Sequence, residues 1–456
     1  MSQVAQEVKK AILSEYQERT TSSLELRKKA ARFLPGGDTR SVAYFSPYPF
    51  YAREGKGCLL YDCDGNAYID CVNNMTSLVH GHAHPHVVDA IRQQAAKGTA
   101  HAAPTELQYL HAETICSRIP AMESLRFCNS GTEATMFAIR AARAFTNKSI
   151  IIKIDGGYNG SHDYVEVNLL PDLTTEDLPT ASVEPGVPQA ILNDMRIAPF
   201  NDLNAMERIL TADKDQVAAI LVEPVLTSGG GIRSEKGYLA GLRELADAHG
   251  ALLIFDEVIT FRFSVGGMQL VEDVRPDLTA LGKIIGGGLP VGAFGGRADI
   301  MQMFDPTRPD AITHSGTFSG NALTMAAGAA TLEILGQDEI DRINRLGDRL
   351  RNSLKGAMDR VGVTGQVGGV GSAAFAVFFD KPYRNAREAV QAVLPSLEFA
   401  QDFNLALLNQ GVYGIAKGMM GFVVSTPMDE STVDLIAERF KAALEQTKPL
   451  ADEIGQ

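Results

Sequence analysis

Three apolar runs in the middle of the chain each stop at a charged residue. Residues 218–222 (Ala-Ala-Ile-Leu-Val) lead to Glu223, residues 251–255 (Ala-Leu-Leu-Ile-Phe) to Asp256 and Glu257, and residues 278–282 (Leu-Thr-Ala-Leu-Gly) to Lys283. Apolar runs of this length read as buried strands. Between the first two lies a helical pattern over 237–249, followed by Gly250, the residue type expected just past a helix end. Strand, helix, strand in that order gives a parallel sheet with right-handed crossovers. Open sheets of this kind bind ligands beyond the carboxyl ends of their strands, which is where these charges stand.

Lys283 is followed by Ile284 and Ile285 and then by Gly286, Gly287 and Gly288. Glycines at that density end regular structure and open space beside the amine. Burial disfavours the ammonium form and lowers a lysine pKa, and a neutral amine can form a Schiff base with a carbonyl. A strand-end lysine can equally reach solvent, and a strand-end aspartate can cap a helix or pair on the surface. Together, Asp256 and Lys283 on neighbouring strands offer what pyridoxal 5′-phosphate (PLP) needs. That is a lysine for its aldehyde and a carboxylate that keeps its ring nitrogen protonated.

Asp256-Glu257-Val258-Ile259-Thr260, followed by Lys283 at this separation, resembles the class III, fold type I PLP-dependent aminotransferases. Within them it is most similar to the branch of glutamate-1-semialdehyde aminomutase and β-amino-acid (β-phenylalanine) aminotransferase. The resemblance spans roughly residues 30–445. It implies an α/β fold: a large PLP-binding domain with a mostly parallel seven-stranded sheet, and a small α+β domain built from the N- and C-terminal segments. The expected divisions are residues 1–75 (helices and a small β-meander, part of the small domain), 76–325 (the large domain) and 326–456 (the rest of the small domain).

The resemblance also implies a site. After a short strand at 126–129, Ser130 and Glu133 fit a capping box, and the free N–H groups of a helix start bind anions. Ser130, Gly131 and Thr132 are therefore implied to cradle the cofactor phosphate. Tyr158, at the end of a buried strand over 149–154, matches the family's stacking aromatic. Val258 is implied to lie against the opposite ring face, and Glu223 close to the cofactor. His162 falls in the same motif as Tyr158 and is assigned to the substrate side. Thr317, in Ser315-Gly316-Thr317-Phe318, is implied to cross a homodimer interface to the partner's phosphate, placing the active sites at that interface. Lys283 and Asp256 are the implied catalytic residues.

Substrate recognition is expected from Arg40 and Lys417. Arg40 follows Pro35-Gly36-Gly37, and an arginine on such a loop can hold a carboxylate with two parallel hydrogen bonds. In the β-amino-acid branch an arginine here resembles a substrate-carboxylate anchor. Ala416-Lys417-Gly418-Met419 stands where those enzymes carry Arg-Gly-Met. Lysine lacks the guanidinium fork, so carboxylate binding there is expected to be weaker, or the substrate different. The aminomutases carry a Ser-Trp pair in the stretch matching residues 72–78, whereas this chain has no tryptophan.

A net charge of −13 argues against a nucleic-acid partner. No apolar run approaches the roughly 18 residues of a membrane span, and the first ten residues lack the apolar core of a signal peptide. Neither a membrane nor a nucleic-acid partner is expected, and the default location is cytoplasmic. Cys58, Cys63, Cys71, Cys116 and Cys128 are odd in number and form no C-x-x-C, as suits reduced thiols. His80, His82, His84 and His86 alternate, but no cysteine or acid completes a metal set at a usual spacing. Residues 166–190 lack periodicity and read as a long loop; such loops are often lids, and the aminomutases have a gating loop near here.

The remaining pattern predicts helices over 4–20, 22–33, 86–97, 106–118, 322–357, 395–410 and 429–446. It also predicts a meander over 50–72 and strands over 291–296, 373–379 and 411–415.

The expected activity is transfer of an amino group from a β-amino acid, or a similar amino acid, to a 2-keto acid such as 2-oxoglutarate or pyruvate. It would proceed through a Schiff base on Lys283, whose freed amine moves a proton as general base and acid. An aminomutase, which needs no external acceptor, is the alternative. A non-catalytic protein on the same fold is a third reading, against which the intact Lys283 and Asp256 argue.

Overall fold

The structure is a computed structural model that describes residues 2–175, 177–416 and 418–455. Helices Gln3–Arg19 and Thr21–Ala30 come first, then three antiparallel strands, β1 (Ala52–Lys56), β2 (Leu59–Asp62) and β3 (Ala67–Asp70). The turn between β2 and β3 is fixed by Asp62, which accepts from the N–H groups of Asp64 (3.0 Å) and Asn66 (2.8 Å) and from the Tyr68 hydroxyl (2.9 Å).

Among the described residues the largest sheet has seven strands, in the order β4-β12-β11-β10-β7-β5-β6. They are β4 (Ser124–Cys128), β5 (Ile150–Ile154), β6 (Met195–Ala198), β7 (Val217–Val222), β10 (Leu252–Asp256), β11 (Leu278–Gly282) and β12 (Gly292–Gly296); a small hairpin, β8 (Val225–Leu226) and β9 (Ile232–Arg233), lies apart. β12 runs antiparallel to β4 and β11, and all other neighbours are parallel. Every residue of β5, β7, β10 and β11 is buried. That is the consequence of covering both faces of a parallel sheet, and it explains why these strands read as continuous apolar runs rather than alternating ones. The carboxyl ends of β4, β5, β7, β10 and β11 open on one edge.

The C-terminal part departs from the sequence reading at several places. The single helix expected over 322–357 is two, Ala322–Glu333 and Gln337–Val361, divided where Gly336 takes an extended conformation (φ −85°, ψ 176°). β13 (Gln366–Gly368) and β14 (Ala373–Val377) follow, then helices Ala386–Val393 and Leu397–Asn409. The strand expected over 411–415 is split at Gly414 between two sheets. β15 (Val412–Tyr413) lies parallel to β3, whereas β16 (Ile415–Ala416) pairs with an unanticipated strand, β17 (Met420–Val423). The last helix, Glu430–Glu453, runs past its expected end and through Pro449, with Leu450 and Ala451 buried. One continuous apolar core joins the first helix, β3, the end of β11, β14, β17 and the last helix.

Among the described residues no helix is long and apolar enough to cross a membrane. Nor do three or more His, Cys, Asp or Glu side chains gather where they could hold a metal ion. His80 meets Thr426 and Thr331 and tilts against the His84 ring, His82 meets Asp70, and His86 meets Glu333.

Helix Gln337–Val361 passes so close to the loop before β14 that a Cβ on Gly347 would stand 2.1 Å from the Gly371 carbonyl oxygen. Backbone cannot yield there, so Gly347→Ala is expected to destabilise by about 1–3 kcal/mol. In the same helix a Cβ on Gly356 would meet only the end of the Arg360 side chain, at 3.2 Å. Gly356→Ala should therefore stabilise by roughly 0.5–1 kcal/mol. Thermal melts of the two variants should move Tm in opposite directions; shifts of the same sign would contradict this packing.

Candidate active site

Asp256 ends β10 and pairs in register with Ala280 of β11, so Lys283 lies three residues further along the adjacent strand. Lys283 opens a short turn with φ +50°, a conformation uncommon for a residue with a side chain. The Asp256 carboxylate accepts from the Asn159 amide (2.8 Å) on one oxygen and from the Val258 N–H (3.1 Å) on the other. Burial pushes its pKa up, against the pull of these donors and of Lys283. The Lys283 amine is pushed down to about 8 by burial, with Arg262 acting in the same sense and Asp256 and Glu223 opposing.

Glu223, just past β7, is buried and raised to about 7, first by burial and then by the charge of Asp256. It accepts from the N–H groups of Tyr158 (3.3 Å) and Thr227 (3.2 Å) and from the Thr227 and Ser228 hydroxyls. Glu257, the second acid after β10, is instead engaged by its own loop. It accepts from Thr260, Met268 and Gln269, so it braces that loop rather than the cavity.

Beyond β4, helix Gly131–Thr146 begins at an N-cap serine: Ser130 Oγ accepts from the Glu133 N–H (3.1 Å), and Glu133 reaches back to the Asn129 N–H (2.8 Å). The N–H groups of Gly131 and Thr132 have no carbonyl four residues back within the helix to bond. This helix start is pressed against its neighbours. A Cβ on Gly131 would lie 3.1 Å from both Val258 methyl groups, and one on Gly160 (φ +108°) would lie 2.7 Å from the Thr132 Cα. Thr132 Oγ1 accepts from the Ser161 N–H (3.1 Å), and Thr135 donates to the Asn159 carbonyl (2.7 Å). The structure thus brings Ser130, Gly131, Thr132, Tyr158, Glu223, Asp256, Val258 and Lys283 to one edge of the sheet. Tyr158 is 51% exposed between buried neighbours Gly157 and Asn159, and among the described residues no other ring stacks on it.

Three expected residues lie apart from that group. His162 turns toward Thr135 (3.4 Å), and burial pushes its pKa down to about 4. It is not among the residues lining the Arg40 cavity. That cavity, of about 420 Å³, is bounded by the N-terminal segment, Asp70, Asn74, Met75, Tyr413 and Gly288. Gly288, five residues past Lys283 in the chain, is part of its lining; Lys283 itself is not. Thr317 is exposed, on a turn whose Gly316 packs beside Asn129. Lys417 lies outside the described residues.

Three residues at the site were not singled out from sequence. Asn159 carries no signal beyond adjacency to Tyr158. Lys153 does: it is a lysine inside the wholly buried strand β5, and its amine donates to the Gly157 carbonyl (2.5 Å), fixing the turn that presents Tyr158. Arg262, between two phenylalanines, is fully buried. It donates to the carbonyls of Thr76 (3.0 Å) and Val424 (2.6 Å) and to the Ser372 hydroxyl (3.1 Å).

A sequence profile of the aminotransferase class-III family matches residues 42–444. A glutamate-1-semialdehyde 2,1-aminomutase from Methanothrix thermoacetophila is 40% identical over 424 residues, covering 93% of this chain and 96% of that protein. Among solved structures, an omega-transaminase from Sphaerobacter thermophilus is 41% identical, with a TM-score of 0.91 over 95% of this chain and 99% of its own. A β-phenylalanine aminotransferase from Variovorax paradoxus is 32% identical, with a TM-score of 0.86 over 98% of each chain. A transaminase with PLP bound is also among the matches.

The lowered pKa of Lys283 makes a prediction that needs no bound ligand. In the apoprotein, acylation of Lys283 by a limiting amine reagent should rise with pH and reach half its maximum near pH 8, against about 10.4 for an ordinary lysine. Asp256→Asn should move the midpoint lower still, because the aspartate charge favours the ammonium form. Peptide mass mapping across a pH series reads both, and a midpoint in the ordinary lysine range would contradict the burial of this amine.

Proposed function

The chain belongs to the class III aminotransferases, whose cofactor is pyridoxal 5′-phosphate, and on that premise we propose that it transfers an amino group from a β-amino acid, or a similar amino acid, to a 2-keto acid. The observation that carries this reading is Arg40: a guanidinium on the wall of a cavity whose lining includes Gly288, five residues after Lys283 in the chain. A carboxylate held there would leave a substrate's amine to extend toward Lys283. The similarity to the omega-transaminase and the β-phenylalanine aminotransferase supports it.

The residues fit the cofactor. A helix start with free N–H groups suits a phosphate, an exposed aromatic face suits a flat ring, and a dry carboxylate suits a protonated ring nitrogen. When bound, the cofactor supplies an aldehyde and a ring that draws electrons from the substrate carbon. Ser130, Gly131 and Thr132 would hold its phosphate, Tyr158 and Val258 would flank the ring, and Asp256 would face the ring nitrogen. Burial raises the Asp256 pKa, and Asn159 and the Val258 N–H oppose it by favouring the carboxylate, the form that would stabilise a positive charge opposite it. Lys283, with a pKa near 8, is partly neutral at physiological pH, and its Nζ can take a proton from the substrate carbon and give it back. Glu223 ties the Tyr158 backbone to β7. The exposed Thr317 and Phe318, the latter 61% exposed, belong to a homodimer interface in this reading. There Thr317 reaches the partner's phosphate site.

A second reading rests on the curated relatives. Those at about 40% identity are named glutamate-1-semialdehyde 2,1-aminomutases, enzymes that need no external acceptor.

Mixing the PLP form with a β-amino acid and no acceptor should bleach the visible cofactor band and release one equivalent of keto product. Adding 2-oxoglutarate or pyruvate should restore the band and yield the corresponding amino acid. Arg40→Ala should raise KM for the β-amino acid about 10- to 100-fold, the loss expected for a charged hydrogen-bonded anchor. No reaction with β-amino acids, together with acceptor-free isomerisation of glutamate-1-semialdehyde, would transfer the assignment to the aminomutase.

A further inference from the structure

Four consecutive residues without a glycine among them take left-handed backbone angles: Asn73 (φ +49°), Asn74 (+48°), Met75 (+53°) and Thr76 (+73°). L-residues visit this region singly and reluctantly, and a β-branched threonine least of all. Such a turn persists only where its surroundings over-determine it, and here they do. Asp70 accepts from the N–H groups of Val72 (2.8 Å) and Asn73 (2.9 Å). The buried Asn73 amide donates to the Val423 carbonyl (2.8 Å), and the buried Arg262 guanidinium donates to the Thr76 carbonyl (3.0 Å).

All this bracing presents one exposed side chain. Asn74 Nδ2 donates to Ser77 Oγ (3.0 Å), and Ser77 donates in turn to the Asn74 carbonyl (3.0 Å). With its nitrogen taken, the amide must turn its oxygen the other way, and Asn74 Oδ1 accepts from Arg40 Nη1 (2.9 Å). A guanidinium has five N–H donors. Among the described residues no acidic side chain forms an ion pair with Arg40, which lines the cavity.

We propose that Asn74, held by the left-handed turn, is a positioning residue that aims the Arg40 guanidinium at the carboxylate of the amino-acid donor and so sets the affinity for it. This rests on Arg40 being the carboxylate anchor. Arg262 and Asp70 act one step further back, by keeping the turn in a conformation its sequence disfavours.

Asn74→Gly tests this without endangering the fold, because glycine accepts φ +48° freely while losing the amide oxygen. KM for a β-amino acid should rise about 5- to 10-fold, as for one lost hydrogen bond to a charged group, with kcat within about twofold and Tm not lowered. Asn74→Asp, which places a carboxylate against Arg40, should raise KM further. In an Arg40→Ala background Asn74→Gly should add nothing. If Asn74→Gly leaves KM unchanged while Arg40→Ala raises it, the positioning role falls and the anchor stands. If the two effects multiply, Asn74 does not act through Arg40, and the proposal falls. If Arg40→Ala itself leaves KM unchanged, the anchor and the proposal fall together.

Discussion

A carboxylate shut away from water at the end of β10 sets the terms for everything near it. Removing a charge from water is expensive unless hydrogen bonds and opposite charges replace the lost solvation. Asp256 receives both oxygens' donors from close by, Asn159 and the Val258 N–H, and its counter-charge from the next strand. The same economy extends outward. Glu223 is raised to about 7 by burial and then by the charge of Asp256, while burial pushes Lys283 and the fully buried Lys153 each down to about 8. Two acids and two amines share one dry volume, and deleting any one leaves another uncompensated, which is the costly event in a buried ionic group.

That arrangement is possible because the strands are parallel. Their carboxyl ends converge on one edge whatever their separation in sequence, so Ser130, Tyr158, Glu223, Asp256 and Lys283 meet although more than 150 positions divide the first from the last. β12 is the exception in direction. Its first residue pairs with Cys128 at the end of β4, which closes the sheet beside the helix start that opens at Ser130.

How much of this was legible in the sequence follows from what kind of force fixed each part. Where burial alone decides, the pattern is written plainly. Continuous apolar runs gave the central strands, and the charges that ended them gave Asp256, Glu223 and Lys283. The serine and glutamate that cap the helix start at Ser130 were legible for a related reason, because capping is local. Where distant parts decide, the sequence was silent. Nothing near Asn159 announces its bond to Asp256. Four non-glycine residues in a left-handed turn contradict their own propensities, and only Asp70, Arg262 and the C-terminal carbonyls make sense of them. β15 and β16 looked like one strand because nothing in residues 412–416 records that their partners lie in different sheets. The helix through Pro449 likewise yields to the burial of the residues beyond it.

The bond between the Asn73 amide and the Val423 carbonyl joins positions 350 residues apart, and β3 finds its parallel partner β15 at a similar remove. A chain emerging from the ribosome therefore acquires its parts in a fixed order. The residues gathered at the sheet edge, from Ser130 to Lys283, are complete once the central sheet has been made. The turn that faces them, although synthesised earlier, lacks the Asn73–Val423 bond until β17 arrives. The nascent protein can thus assemble the sheet edge that carries Asp256 and Lys283 before the Asn73–Val423 bond ties down the turn that faces it.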